Sequence, residues 1–103
     1  IFYVSNVKGM ITTFGDKETE KICNGFVWKK LPRESQDVAR RKLRMINNSV
    51  NISDWKIPPA NKLEKLKRTL LGFYSIRIND QRRIIFKGEK GSAFEVKLWI
   101  IIK

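Results

Sequence analysis

Phe73-Tyr74-Ser75-Ile76-Arg77-Ile78, then Asn79-Asp80-Gln81, then Arg82-Arg83-Ile84-Ile85-Phe86-Lys87 is the stretch that decides the fold. Side chains of a strand point alternately to its two faces. Tyr74, Ile76 and Ile78 therefore share one face, and Phe73, Ser75 and Arg77 the other. Asn79-Asp80-Gln81 is turn chemistry. The alternation resumes with Ile84 and Phe86 inward, Gly88-Glu89-Lys90-Gly91 turns the chain again, and Phe94, Val96, Leu98 and Ile100 give a last strand at period two. Strands joined by such short turns form an antiparallel meander.

Working upstream, the period changes. Ala39, Leu43, Ile46 and Val50 are spaced four, three and four, which predicts one helix stripe. Pro32 suits the first helical position. Arg40, Arg41, Lys42 and Arg44 flank the stripe, either as a solvated face or as phosphate contacts. A shorter helix is expected after Asp16, an N-cap residue, with Glu18 and Glu20 at the positive end of its dipole and a stop near Asn24-Gly25. Ile11-Thr12-Thr13-Phe14 reads as a short first strand. Between helix and meander, Asn47 to Asn61 is a polar connection holding Pro58-Pro59, with Trp55 as its anchor on the core. The expected fold is α+β, two N-terminal helices packed on one face of a small antiparallel sheet. Residues 1–9, which precede Met10, are set aside as an extension or non-native leader, and residues 10–103 are read as one domain.

The composition narrows the function. The 103 residues carry 22 Lys and Arg against 10 Asp and Glu, a net charge of +12, yet 42% are hydrophobic, too many for a disordered basic tail. Such an excess on a small domain predicts a polyanion partner, since each cation that neutralises a phosphate releases a counterion; the plain alternative is a basic, solvated surface. There is no His, which removes every imidazole base and most zinc sites, and one cysteine, Cys23, which removes internal disulfides and cysteine-cluster metal sites. No metal or cofactor is expected. Cys23 reads as a small buried hydrophobe. No apolar run reaches the ~20 residues of a membrane span. The lone thiol and the lack of a secretory leader point to the cytoplasm.

The helices can dry only one sheet face. The other presents Arg77, Arg83 and Lys87 on adjacent strands. Cross-strand neighbours sit ~5 Å apart, so these cations repel unless an anion lies between them. The reading requires Arg83 to be open to a phosphate rather than buried against a carboxylate.

Lys62-Leu63-Glu64-Lys65-Leu66-Lys67, Gly72 through Gln81 and Arg83-Ile84, with the lead-in Ile57-Pro58-Pro59-Ala60-Asn61 and the helix segment Val38 to Leu43, resemble the HigB-like plasmid-maintenance killer toxins of the RelE superfamily from Met10 to about Val96. The resemblance implies a type II toxin that enters the ribosome and cleaves messenger RNA during translation. It also implies a cognate helix-turn-helix antitoxin that neutralises the toxin, with operator DNA reached only through that antitoxin. By the same resemblance Lys67 corresponds to a catalytic lysine and Arg83 to the arginine on the scissile phosphate. Glu64 stands where some relatives carry a catalytic His and would serve as base if its pKa were raised. Arg77, on the Ser75 face, would assist. Lys62, Lys65, Arg68, Arg82 and Lys87 complete the expected RNA-binding cations.

The chain departs from the family pattern in places. Arg82 and Gly88 stand where aromatics are usual, and Arg68-Thr69-Leu70 replaces a Gly-Asp-Arg turn. Relatives end Glu-Ile-Val-Asp-Tyr-His, the His often catalytic; this chain ends Lys97-Leu98-Trp99-Ile100-Ile101-Ile102-Lys103. A frameshift would account for it: GAA-ATT-GTG-GAT-TAT-CAT-TAA, read one base later, begins AAA-TTG-TGG-ATT-ATC-ATT, which encodes Lys-Leu-Trp-Ile-Ile-Ile. The expectation is a ribosome-dependent endoribonuclease weakened by its tail. The alternatives are a catalytically inactive remnant that still binds antitoxin or RNA, and an unrelated basic nucleic-acid-binding domain.

Overall fold

The computed structural model describes residues 3–4, 9–56, 58–89 and 91–100. Ile57, Lys90, the last three tail residues and most of the expected leader lie outside that description. The elements in chain order are β1 (Tyr3–Val4), β2 (Thr13–Phe14), α1 (Lys17–Cys23), α2 (Arg33–Asn47), β3 (Glu64–Lys65), β4 (Phe73–Arg77), β5 (Arg82–Glu89) and β6 (Ser92–Ile100). Short 3-10 turns at Ile52–Lys56, Pro59–Asn61 and Arg68–Leu70 fill the connections.

Local chemistry sets both helices. Asp16 caps α1, its carboxylate accepting from the Thr19 N–H at 2.8 Å. Pro32 is at the N-cap of α2, one position earlier than expected: its backbone is extended (ψ 139) and its carbonyl accepts the Gln36 N–H at 3.0 Å. Ala39, Leu43 and Ile46 are fully buried as the stripe predicts, but Val50 is 75% exposed. The helix ends at Asn47, with the Asn48 N–H closing on the Arg44 carbonyl, so Val50 falls outside the helical register. The Asp54 carboxylate accepts from the Val50 and Asn51 N–H groups, which hold its pKa down. Trp55 is buried edge-on to Phe86 at 4.6 Å and to Tyr74 at 5.8 Å, anchoring the connection as expected.

The α+β class holds, and the sheet is mixed. Its order is β1-β2-β6-β5-β4-β3, antiparallel throughout except that β2 runs parallel to β6. The parallel pair arises because β2 slots beside the middle of β6: Thr12 N–H donates to the Ala93 carbonyl at 2.8 Å and Gly15 N–H to the Val96 carbonyl at 2.9 Å. Gly15 suits the close approach, since a Cβ would sit 2.9 Å from Lys97 Cδ, which would have to move aside, and 3.2 Å from the Glu95 carbonyl oxygen.

Strand β6 does not keep period two. Ile85 pairs with Lys97 but Lys87 pairs with Phe94, so Glu95 and Val96 together face Phe86. Glu95 takes the left-handed backbone (φ 55) of this bulge, and its N–H turns to Thr13 Oγ1 at 2.9 Å. The extra residue moves Phe94 off the Val96–Leu98 face, and Ala93 takes the buried place instead. Ile100, expected inward, is exposed at the strand end. The core between helices and sheet holds Phe14, Ile22, Leu43, Ile46, Ile76, Ile84, Phe86 and Val96.

Candidate nucleic-acid interface

The sheet face away from the helices is built by β3 to β6. Register places Glu64 opposite Ser75, Ser75 opposite Ile85, Arg77 opposite Arg83 and Arg83 opposite Trp99. This face is not the plain wet surface its charges predict. Phe73, Ser75 and Ile85 on it are buried. Lys87 lies over one of them, its Nζ 5.5 Å from the Phe73 ring centre.

Arg77 and Arg83 are direct cross-strand neighbours. Ile78 N–H donates to the Arg82 carbonyl at 3.0 Å, which makes 77–83 a non-hydrogen-bonded pair, the kind that brings side chains closest. The structure separates the two charges by drawing each aside. Arg77 pairs with Asp80. Arg83 turns the other way: its Nε donates to Ser75 Oγ at 2.8 Å and its Nη2 to the Lys62 carbonyl at 2.8 Å. Glu64 Oε2 stands 3.7 Å from that same nitrogen. Arg83 is thus neither open nor neutralised. Its side chain is 16% exposed, two neutral acceptors fix it, and a 64% exposed carboxylate sits at the outer limit of an ion pair. Arg83 Nη1 makes no hydrogen bond among the described residues.

The other expected site residues divide. Lys87 is half exposed beside Phe73, with Glu95 Oε2 at 3.4 Å. Lys67 and Arg68 are exposed at the corner after β3, beyond Leu66, whose N–H reaches the Phe73 carbonyl at 2.8 Å. That corner adjoins the Phe73–Lys87 end of the face, whereas Arg77 lies four residues along β4. Arg83 leans from the Arg77 end toward Ser75 and Glu64, and so narrows the gap. Lys62 is exposed with a left-handed backbone (φ 45) and offers its carbonyl to Arg83. Lys65, opposite Tyr74, and Arg82, opposite Ile100, belong to the helix-side face. Arg82 lines a small cleft with Asp16, Glu18 and Trp28, and its Nε is buried without a hydrogen-bond partner among the described residues. The register therefore does not gather Lys65 and Arg82 with Arg83.

Two participants escape sequence reading. Ser75 is the buried hydroxyl that steers Arg83, and only the register reveals the pairing. Lys42 is buried behind the arginines and donates from Nζ to the Arg77 carbonyl, which the short β3 leaves uncovered. Burial first, then the charges of Arg41, Arg77 and Arg83, push the Lys42 pKa down. Arg40 of the same run is structural too, its Nε donating to the Ile22 carbonyl at 2.8 Å and Nη2 to the Phe26 carbonyl at 2.9 Å. Half of that run is thus engaged with backbone carbonyls of the chain itself. Cys23 is buried and burial raises its pKa, which makes it a packing residue. Among the described residues no cluster of acidic, Cys or His side chains could hold a metal, and no helix is long and apolar enough to cross a membrane.

Residues 12–99 match a family model described as "RelE-like toxin of type II toxin-antitoxin system HigB". Over 64 residues the chain is 46% identical to a protein of Haemophilus influenzae named only as uncharacterized, covering 62% of this chain and 63% of that protein's length. Over 68 residues it is 37% identical to Toxin HigB-1 of Vibrio cholerae, covering 66% of this chain and 72% of that one.

Proposed function

The chain belongs to the HigB-like toxins, RelE-like toxins of type II toxin–antitoxin systems, and from that premise we propose that it binds messenger RNA on the open sheet face and cleaves it on the translating ribosome. The observation that carries this reading is the mounting of Arg83. Two neutral oxygens, Ser75 Oγ and the Lys62 carbonyl, orient its guanidinium without cancelling its charge, and Nη1 is left for a phosphate.

Metal-independent cleavage of RNA is attack by a 2′-hydroxyl on the adjacent phosphorus. The 2′ O–P bond forms, the P–O5′ bond breaks, and the products carry a 2′,3′-cyclic phosphate and a 5′-hydroxyl. The Glu64 carboxylate takes the 2′-hydroxyl proton. Arg83 stabilises the charge that builds on the non-bridging oxygens, as fixed donors do in a sheltered site. Lys67 delivers a proton to the departing 5′ oxygen, with Arg77 and Lys87 as flanking charge. A cognate helix-turn-helix antitoxin is the protein partner on this reading, and it alone brings the toxin to operator DNA.

Induced expression tests the proposal. Growth slows with the wild-type chain, recovers with Arg83→Glu at equal soluble yield, and recovers when the neighbouring antitoxin gene is co-expressed. A second reading, a remnant that binds without cleaving, is favoured by one observation: with no His in the chain, the acid and base must be groups less suited to neutral pH. Unchanged growth together with retained RNA binding would establish that reading instead.

A further inference from the structure

We infer that Trp99 is a base-stacking platform, taking one nucleobase of the single-stranded RNA whose neighbouring phosphate Arg83 holds. The inference rests on the RNA-binding reading and adds a subsite to it. Trp99 is directly opposite Arg83 in the β5–β6 register, on the same face as Ser75 and Glu64. Directly paired residues are ~5 Å apart, so a phosphate at Arg83 and the base of an adjoining nucleotide at Trp99 fall within one strand of RNA. The indole is 39% exposed although it is the largest apolar side chain available, while the core absorbs Trp55 completely. Lys97 Nζ lies 5.1 Å from its ring centre, a cation over one ring region that also supplies charge for the backbone.

This combination, a π-face flanked by cations on an open sheet, is how sequence-tolerant single-strand binders work, because every base has a face to stack. A protein partner would use the indole differently. It would bury apolar neighbours with it, and here the flanking residues are Arg83 and Lys97.

The test is binding of the full chain to a short, labelled single-stranded RNA with methylated 2′-hydroxyls, followed by fluorescence anisotropy over a range of salt. Trp99→Leu should weaken binding roughly tenfold, the loss expected for one stacked base. It should leave the dependence on salt unchanged, because no phosphate contact is lost. Trp99→Phe should retain most of the affinity, and RNA should quench indole emission in the wild type but not in Trp99→Leu. If Trp99→Leu binds RNA as the wild type does while Arg83→Gln is weakened, the stacking platform is overturned and the RNA reading stands. If the wild type binds no RNA at low salt, both fall. If Trp99→Leu leaves RNA affinity intact but abolishes self-association or antitoxin capture, the residue is a protein contact and the inference is wrong. Matched thermal melts confirm that the variants are folded, and the wild-type quench needs no variant.

Discussion

With Glu64 as the proposed base, Glu64→Gln separates binding from chemistry, because the carboxylate then acts on the two in opposite directions. On the proposed reading Glu64 competes with phosphate for Arg83, from 3.7 Å and with 64% of its side chain in solvent. Exposed pairs of this kind are worth ~0.2–1 kcal/mol. Removing the charge while keeping the shape should therefore tighten binding of uncleavable RNA by about 1.5- to 5-fold. As the base, the same carboxylate contributes a factor of ~10²–10⁴ to the cleavage step. Single-turnover cleavage of messenger on programmed ribosomes, with saturating toxin, should fall by that factor while affinity rises. Cleavage within about threefold of wild type would remove Glu64 as the base. A loss of affinity would show that Glu64 holds Arg83 in place rather than rivalling the substrate.

Other perturbations test the frame around the site. Gly88→Trp, which restores an aromatic usual in the family, should lower stability by ~1–3 kcal/mol in a denaturant titration, because even a Cβ there would lie 3.2 Å from Trp55 and Tyr74 ring carbons. Arg68→Gly should raise the melting temperature by a few degrees, since Arg68 holds a left-handed backbone (φ 60) that costs a non-glycine residue about 1–2 kcal/mol, less the extra freedom of glycine when unfolded. Lys42→Met gives a pH signature. The folded state depresses the Lys42 pKa below 10.5, so the unfolded chain binds more protons in the window just under that value. Wild-type stability should thus gain on Lys42→Met as pH rises through the window toward 10.5, and a constant difference would show that burial does not penalise the Lys42 charge.

Much of the scaffold is legible in the residues because local signals agree with global packing. Asp16 at its cap, the Ala39–Leu43–Ile46 stripe and the Ile76/Ile84 alternation each name their own environment. The failures have physical causes. Val50 continues the stripe in sequence but not in space, because capping at Asn48 ends the helix first. The Glu95 bulge exchanges Phe94 for Ala93 in the core, and nothing in a period-two pattern marks one extra residue. The parallel β2–β6 pair joins residues some eighty positions apart, beyond the reach of any local rule.

The face that carries the candidate site is legible in its charges and not in their partners. Sequence places Arg77, Arg83 and Lys87 on one face, and the register agrees. It does not reveal that Asp80, Glu64 and Glu95 approach those cations, because each pairing depends on side-chain reach across a turn, an edge or a bulge. Nor does it tell a surface lysine from Lys42, which is buried and meets the Arg77 carbonyl that β3, pairing only with Tyr74 and Ser75, leaves uncovered.

The most direct measurement is the salt dependence of RNA affinity for the wild type and Arg83→Gln. With Arg83 on a phosphate, the variant should bind more weakly and its log–log slope should be shallower by about 0.7, the value of one lost contact on a single strand. Equal affinity and parallel slopes would mean that Arg83 does no more than brace Ser75 and the Lys62 carbonyl.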